Sequence, residues 1–149
     1  MNELSSTGRY KLPREAFDKI KEVFSGFCAD EAGTAEAIKA HFVNAHYLCD
    51  THTAVALSCV DKYLSGIADD IKRPVLAAST ASPYKFAADV LSSLTEKVSP
   101  EGPAALNALS EYTGTPIPAP LSGLEMRPVR FDRVIEVGAM PADVLTQLA

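Results

Sequence analysis

Tryptophan is absent from these 149 residues, cysteine occurs three times, and only 14 lysines and arginines stand against 19 acidic side chains. Each shortage excludes something. With a formal net charge of -5 and its basic residues dispersed, the chain lacks the clustered cations that displace counterions from a phosphate backbone, so nucleic-acid binding is set aside. Cys28, Cys49 and Cys59 are an odd number, and no basic-then-apolar leader opens the sequence. A disulfide framework and a secretory route are therefore not expected, and a reduced cytoplasmic setting is. No apolar run approaches the roughly 18 residues of a membrane span, since Ser58 interrupts the longest, Ala54 to Val60. What is present is a hydrophobic content of 47%, enough for one domain of about 100–150 residues or for a piece of a larger one.

The spacing of apolar residues predicts a chain of helices. Pro13 suits a first helical turn, and Phe17, Ile20, Phe24 and Phe27 follow at helical intervals, ending near Gly26. A second helix, about Ala32 to His46, carries Ala35, Ile38, Phe42 and Ala45 on one stripe, and both read as surface helices. The third, Thr53 to about Leu64, is apolar nearly all round and is expected to be more deeply buried, with Asp50 or Thr51 as its cap and Gly66 at its end. Pro74 to Ser79 is a short apolar run without alternation, as expected of a strand covered on both faces. Ser82 then caps a fourth helix with Pro83 in its first turn and Phe86, Ala87, Val90, Leu91 and Leu94 inward. A further helix from Glu101 to Tyr112 precedes the Pro116, Pro118, Pro120 stretch, which cannot hold regular helix. A short strand near Val134 to Val137 and a helix from Pro141 to Leu148 close the chain. The fold class expected is α/β, mostly helical with few strands.

Chemistry is sought where a strand would lead into a helix. Ser79 and Thr80 occupy that position, where ligands gather in open α/β sheets. Short hydroxyl residues in such turns also serve simply to satisfy backbone groups, and spacing alone favours that role. His52 beside Asp50 could act as an acid or base with its tautomer fixed by the carboxylate; the plainer alternative, which is preferred, is that both belong to a helix cap. His41, His46, Cys49 and His52 offer zinc-type donors, but His41 and His46 fall on different helix faces and no second pair stands at finger-like spacing, so no metal is expected. Lys85 lies in a first helical turn, where a cation opposes the dipole, which hints at a compensating anion; the plainer alternative, which is preferred, is an exposed lysine that points into water at a cost of only a few tenths of a kcal/mol.

Two segments carry a family resemblance: Leu48-Cys49-Asp50-Thr51-His52-Thr53-Ala54-Val55 and Ser79-Thr80-Ala81-Ser82-Pro83-Tyr84-Lys85-Phe86. They resemble the Asp-Pro-His-Thr-Ala-like helix start and the Thr-Ala-His-Pro-Ala-Lys-Phe-like turn of the C-terminal part of threonine synthase, with Thr51, Ser82 and Tyr84 replacing proline, histidine and alanine. Gly8-Arg9-Tyr10, Pro120 to Leu124 and Pro128-Val129 are similar to the flanking sequence. The resemblance implies a pyridoxal 5'-phosphate enzyme of fold type II, related to the tryptophan synthase β chain. Residues 1–122 would be the C-terminal part of its large cofactor-binding α/β/α domain, and 123–149 a C-terminal extension. The implied reaction converts O-phosphohomoserine and water to threonine and phosphate. Thr80 would contact the pyridine nitrogen, with Ser79 beside it. The lysine that anchors the cofactor, in a Phe-Lys-Asp-like segment, and the phosphate-holding loop have no counterpart here. No catalytic residue is therefore assigned to this chain, and the missing N-terminal portion is the expected partner. Alone, the chain is expected to be inactive and prone to self-association through its unpaired strand. The alternatives are a non-catalytic helical interaction or regulatory module on the same scaffold, and another pyridoxal-phosphate lyase.

Overall fold

Apolar residues at helical spacing and well-placed caps build a helical chain, and in the computed structural model, which describes residues 2–66, 74–130 and 133–148, every regular element is a helix or a 3-10 turn. The helices are α1 (Asn2–Thr7), α2 (Arg14–Val23), α3 (Glu31–Ala45), α4 (Thr51–Ser65), α5 (Ala87–Thr95), α6 (Pro103–Thr113) and α7 (Met140–Leu148). Short 3-10 turns occupy Pro83–Phe86, Leu124–Met126 and Val137–Ala139. Among the described residues there is no strand and no sheet, which overturns the α/β expectation. The segment 74–79 is irregular and exposed, with Leu76 95% accessible. Val134 to Glu136 is irregular as well, and Val137 opens a 3-10 turn. The physical reason is that an apolar run becomes a strand only where other strands complete its backbone hydrogen bonds, and among the described residues no partner strand stands beside either run.

The core forms where α3 packs on α4 and on α5, and α5 packs on α6. Ile38, Val90 and Leu109 are fully shielded from solvent at its centre, each such burial contributing about 1.5–3 kcal/mol. Ala37, Ala54, Ala87 and Ala105, also buried, let the helix axes approach closely. The inward positions read from the fourth helix hold, since Ala87, Val90, Leu91 and Leu94 are buried. Phe86 is partly buried at the end of the preceding 3-10 turn. The third helix departs from expectation: only Thr53 and Ala54 of α4 are buried, while Val55, Tyr63 and Leu64 are exposed. An all-round apolar helix needs cover on several sides, and α4 has its principal packing partner, α3, on one. Helix α2 buries nothing.

Helix ends are set by local chemistry. Asp30 caps α3 by accepting from the Gly33 amide at 2.8 Å, and His46 ends that helix in the left-handed conformation at φ 51°. Gly114, at φ 68°, ends α6 with a backbone geometry that glycine adopts without a side-chain clash. Among the described residues no helix is long and apolar enough to cross a membrane.

Candidate functional site

The site grows from the cap of α4. Asp50 is extended at φ -79°, ψ 168°, which turns its side chain back over the first free amides of the helix. One carboxylate oxygen, Oδ1, accepts from the amides of His52 at 2.9 Å and Thr53 at 3.3 Å and lies 3.2 Å from His52 Nδ1. The other, Oδ2, accepts the hydroxyl proton of Thr53. Asp50 is fully shielded from solvent, and a charge removed from water needs this set of donors to remain ionised. Burial by itself pushes the Asp50 carboxyl up, but the combined hydrogen bonds from Thr53 and His52 outweigh it and hold the group below its ordinary value. The same surroundings act oppositely on Cys49, whose thiol is pushed up to about 11 by burial and by the neighbouring Asp50 charge.

Thr53 carries the network across to the second segment. Its Oγ1 lies 3.1 Å from Ser79 Oγ, joining two residues 26 positions apart. A hydroxyl has one proton, and that of Thr53 goes to the carboxylate, so Ser79 is the donor in this contact. The segments meet again where the His52 ring packs against Phe86, centroids 4.9 Å apart and planes tilted by 55°. Thr80 follows with an exposed side chain. Ser82 caps the 3-10 turn by accepting from the Tyr84 amide at 3.3 Å. Tyr84 is buried, and its hydroxyl donates to the Thr115 carbonyl at 2.6 Å, while Ser110 donates to that same carbonyl at 2.7 Å.

Beside this junction runs an open groove of about 610 Å³ between the starts of α3 and α4 and the outer side of α5, lined in part by Thr34, Thr51, His52, Asp89 and Ser92. With Nδ1 turned to Asp50, the opposite edge of the His52 ring, carrying Nε2, is what the imidazole can offer a ligand there. The other zinc-type donors do not join it. His41 faces Asp61 of α4 at 3.9 Å, and the described residues bring together no group of three side chains that could hold a metal. Lys85 is exposed in the 3-10 turn.

Between Asp50 and Thr51 as caps, the structure selects Asp50, and Thr51 becomes the first helical residue. The residue missed in the sequence is Thr53, the link between the two motif segments. Its only sequence signal is its place three residues after the capping aspartate, the spacing at which a side chain folds back on a cap.

No family model matches the chain. It is 27% identical over 116 residues to "Threonine synthase-like 1" of Macaca fascicularis, a match that covers 77% of this chain and 15% of that protein. The chain thus aligns to a small part of a much longer relative, and what the match establishes is a distant threonine synthase-like relationship.

Proposed function

We propose that this chain is the C-terminal part of a pyridoxal-phosphate enzyme of the threonine synthase type, forming one wall of its cofactor site. The observation that carries the reading is the hydrogen-bonded link from Asp50 through Thr53 to Ser79, which ties together the two segments on which the resemblance rests. The donor set fits one part of the cofactor. Ser79 spends its proton on Thr53, whereas the exposed Thr80 hydroxyl can donate to a pyridine nitrogen without protonating it. The remaining needs, a covalent lysine and a phosphate cradle, fall to the rest of the enzyme.

When bound, pyridoxal phosphate supplies an electron sink for negative charge developing on the substrate carbons. The residues of this chain would orient and tune it. Thr80 donates to the ring nitrogen, Ser79 holds the turn against α4, and the 3-10 turn capped by Ser82 fixes the chain into α5. The substrate in this reading is O-phosphohomoserine, with water as the second reactant and threonine and phosphate as products.

Thr80→Val in the full-length enzyme is the test, because it keeps the shape and deletes the hydroxyl. A net hydrogen bond of about 0.5–1.5 kcal/mol predicts cofactor binding weaker by about 2- to 13-fold, with turnover reduced and folding intact. Unchanged affinity and activity would return Thr80 to a turn-forming role.

One observation supports a second reading, a helical module without chemistry: helices α3 to α6 enclose Ile38, Val90 and Leu109 completely with residues of this chain alone. Sedimentation and unfolding of the isolated chain separate the two. A compact monomer with cooperative unfolding, unchanged by the N-terminal portion of the enzyme, favours the module; a tighter complex with that portion favours the cofactor wall.

A further inference from the structure

Residues 74–81 run without helix or strand, and among the described residues their single hydrogen bond to another part of the fold is that of Ser79 with Thr53. What Thr53 offers therefore decides where the turn sits and which way its hydroxyls donate. Thr53 has given its proton to Asp50, so it meets Ser79 with a lone pair. Asp50 has little freedom to change this. It is fully buried, and its second oxygen is held by two backbone amides and the His52 ring. Donation thus runs in one direction, from Ser79 to Thr53 to a fixed negative charge.

We propose that Asp50 is a positioning residue for the hydroxyl turn, acting through Thr53: it fixes the Ser79–Thr80 turn against α4 and commits Ser79 as a donor, leaving Thr80 as the hydroxyl of that pair with no hydrogen-bond partner among the described residues. The proposal deepens the function proposed above and rests on it only for what Thr80 then touches. Asp50→Asn separates this role from helix capping. The substituted side chain keeps a carbonyl oxygen to accept from the amides of His52 and Thr53, so the cap survives. Its other atom is now an NH₂ group, which donates to Thr53 where the carboxylate accepted. Thr53 must then turn its own proton on Ser79, and the direction of the whole link reverses.

NMR of this chain tests the proposal with Asp50→Asn, Thr53→Val and Thr53→Ser. The first two are expected to shift the Ser79 and Thr80 resonances and to weaken the Thr53–Ser79 side-chain NOEs several-fold, while amide protection along α4 stays within about twofold of the parent. Thr53→Ser, which keeps the hydroxyl, is expected to restore the parent spectrum at the turn. Should Asp50→Asn loosen α4, Thr53→Val decides, because it leaves the capping carboxylate in place. Ser79 and Thr80 resonances that do not move in Thr53→Val would overturn the proposal, as would a turn that stays put in an Asp50→Asn chain with α4 intact. The full-length enzyme adds a cofactor readout. Asp50→Asn is expected to weaken pyridoxal phosphate binding in parallel with Thr80→Val. A displaced turn together with a silent Thr80→Val would uphold the positioning role and remove the cofactor assignment instead.

Discussion

Helices α2 and α5 have the same design and opposite fates. Each is about ten residues long, and each gathers apolar side chains on one face. The face of α5 closes against α3 and α6 with Val90 fully shielded. The face of α2 meets nothing comparable: Phe17 is 48% exposed and Val23 77%. Amphipathic spacing therefore tells which side of a helix is to be covered, and says nothing of whether the cover lies within the same chain. The charges of α2 are arranged to suit water, with Lys19 paired to Glu15 at 3.0 Å on the helix surface, so the polar face is complete while the apolar one is open.

The sharpest way to separate the two regions is truncation. Leu109→Ala, at a position of zero exposure where α6 meets α5, is expected to cost about 2–5 kcal/mol, read from denaturant midpoints. The cap of α4 comes next. Asp50→Ala is expected to cost about 0.5–2 kcal/mol, and it should also flatten the acid limb of the stability profile. The sign follows from the depressed carboxyl: its folded-state value lies below the unfolded one of about 3.9, so its contribution is present above that pH and is lost as pH falls through the folded value. A thiol-labelling contrast tests burial without mutation. Cys28 is exposed and Cys49 buried, and the Cys49 thiol, raised to about 11, carries little thiolate near neutrality. Cys28 is expected to react promptly and Cys49 only on unfolding; equal rates would mean that the α3–α4 packing opens readily. The smallest effect belongs to Phe17→Ala, expected within about 0.5 kcal/mol of zero in this chain. A loss approaching that of Leu109→Ala would show that α2 is covered in solution.

The same contrast explains how far the sequence could be read. The inward face of α5 was legible because its signal is local, the spacing of Ala87, Val90, Leu91 and Leu94; its start was not, since Ser82 and Pro83 open the 3-10 turn Pro83–Phe86 and α5 begins only at Ala87, without a side-chain cap. Asp50 as a cap before an apolar run was legible for the same reason. The stretch Val75 to Ala78 misled, because a short apolar run without alternation has two readings, and only a neighbouring strand can decide between them. Val55, Tyr63 and Leu64 mislead similarly, since hydrophobicity on every side of α4 does not amount to burial on every side. At the site, Ser79 and Thr80 were visible as hydroxyls in a turn. The contact that gives Ser79 its direction was not, because it joins residues 26 apart through Thr53, an ordinary helical threonine in the sequence.

The hydroxyl of Tyr84 has a consequence for how the chain could be cut or rejoined. It spans from the turn before α5 to Thr115 beyond the end of α6, so the two helices are fastened at the end remote from their connecting loop. Val98 in that loop is fully exposed, and α5 and α6 pack on each other within the buried cluster that holds Val90, Leu94 and Leu109, while Ser92 of α5 donates to Ser99 of the loop at 3.0 Å. The packing is therefore expected to outlast a break in the peptide link: a nick beside Val98, an inserted peptide, or new chain termini placed there should leave the two halves of the core clasped.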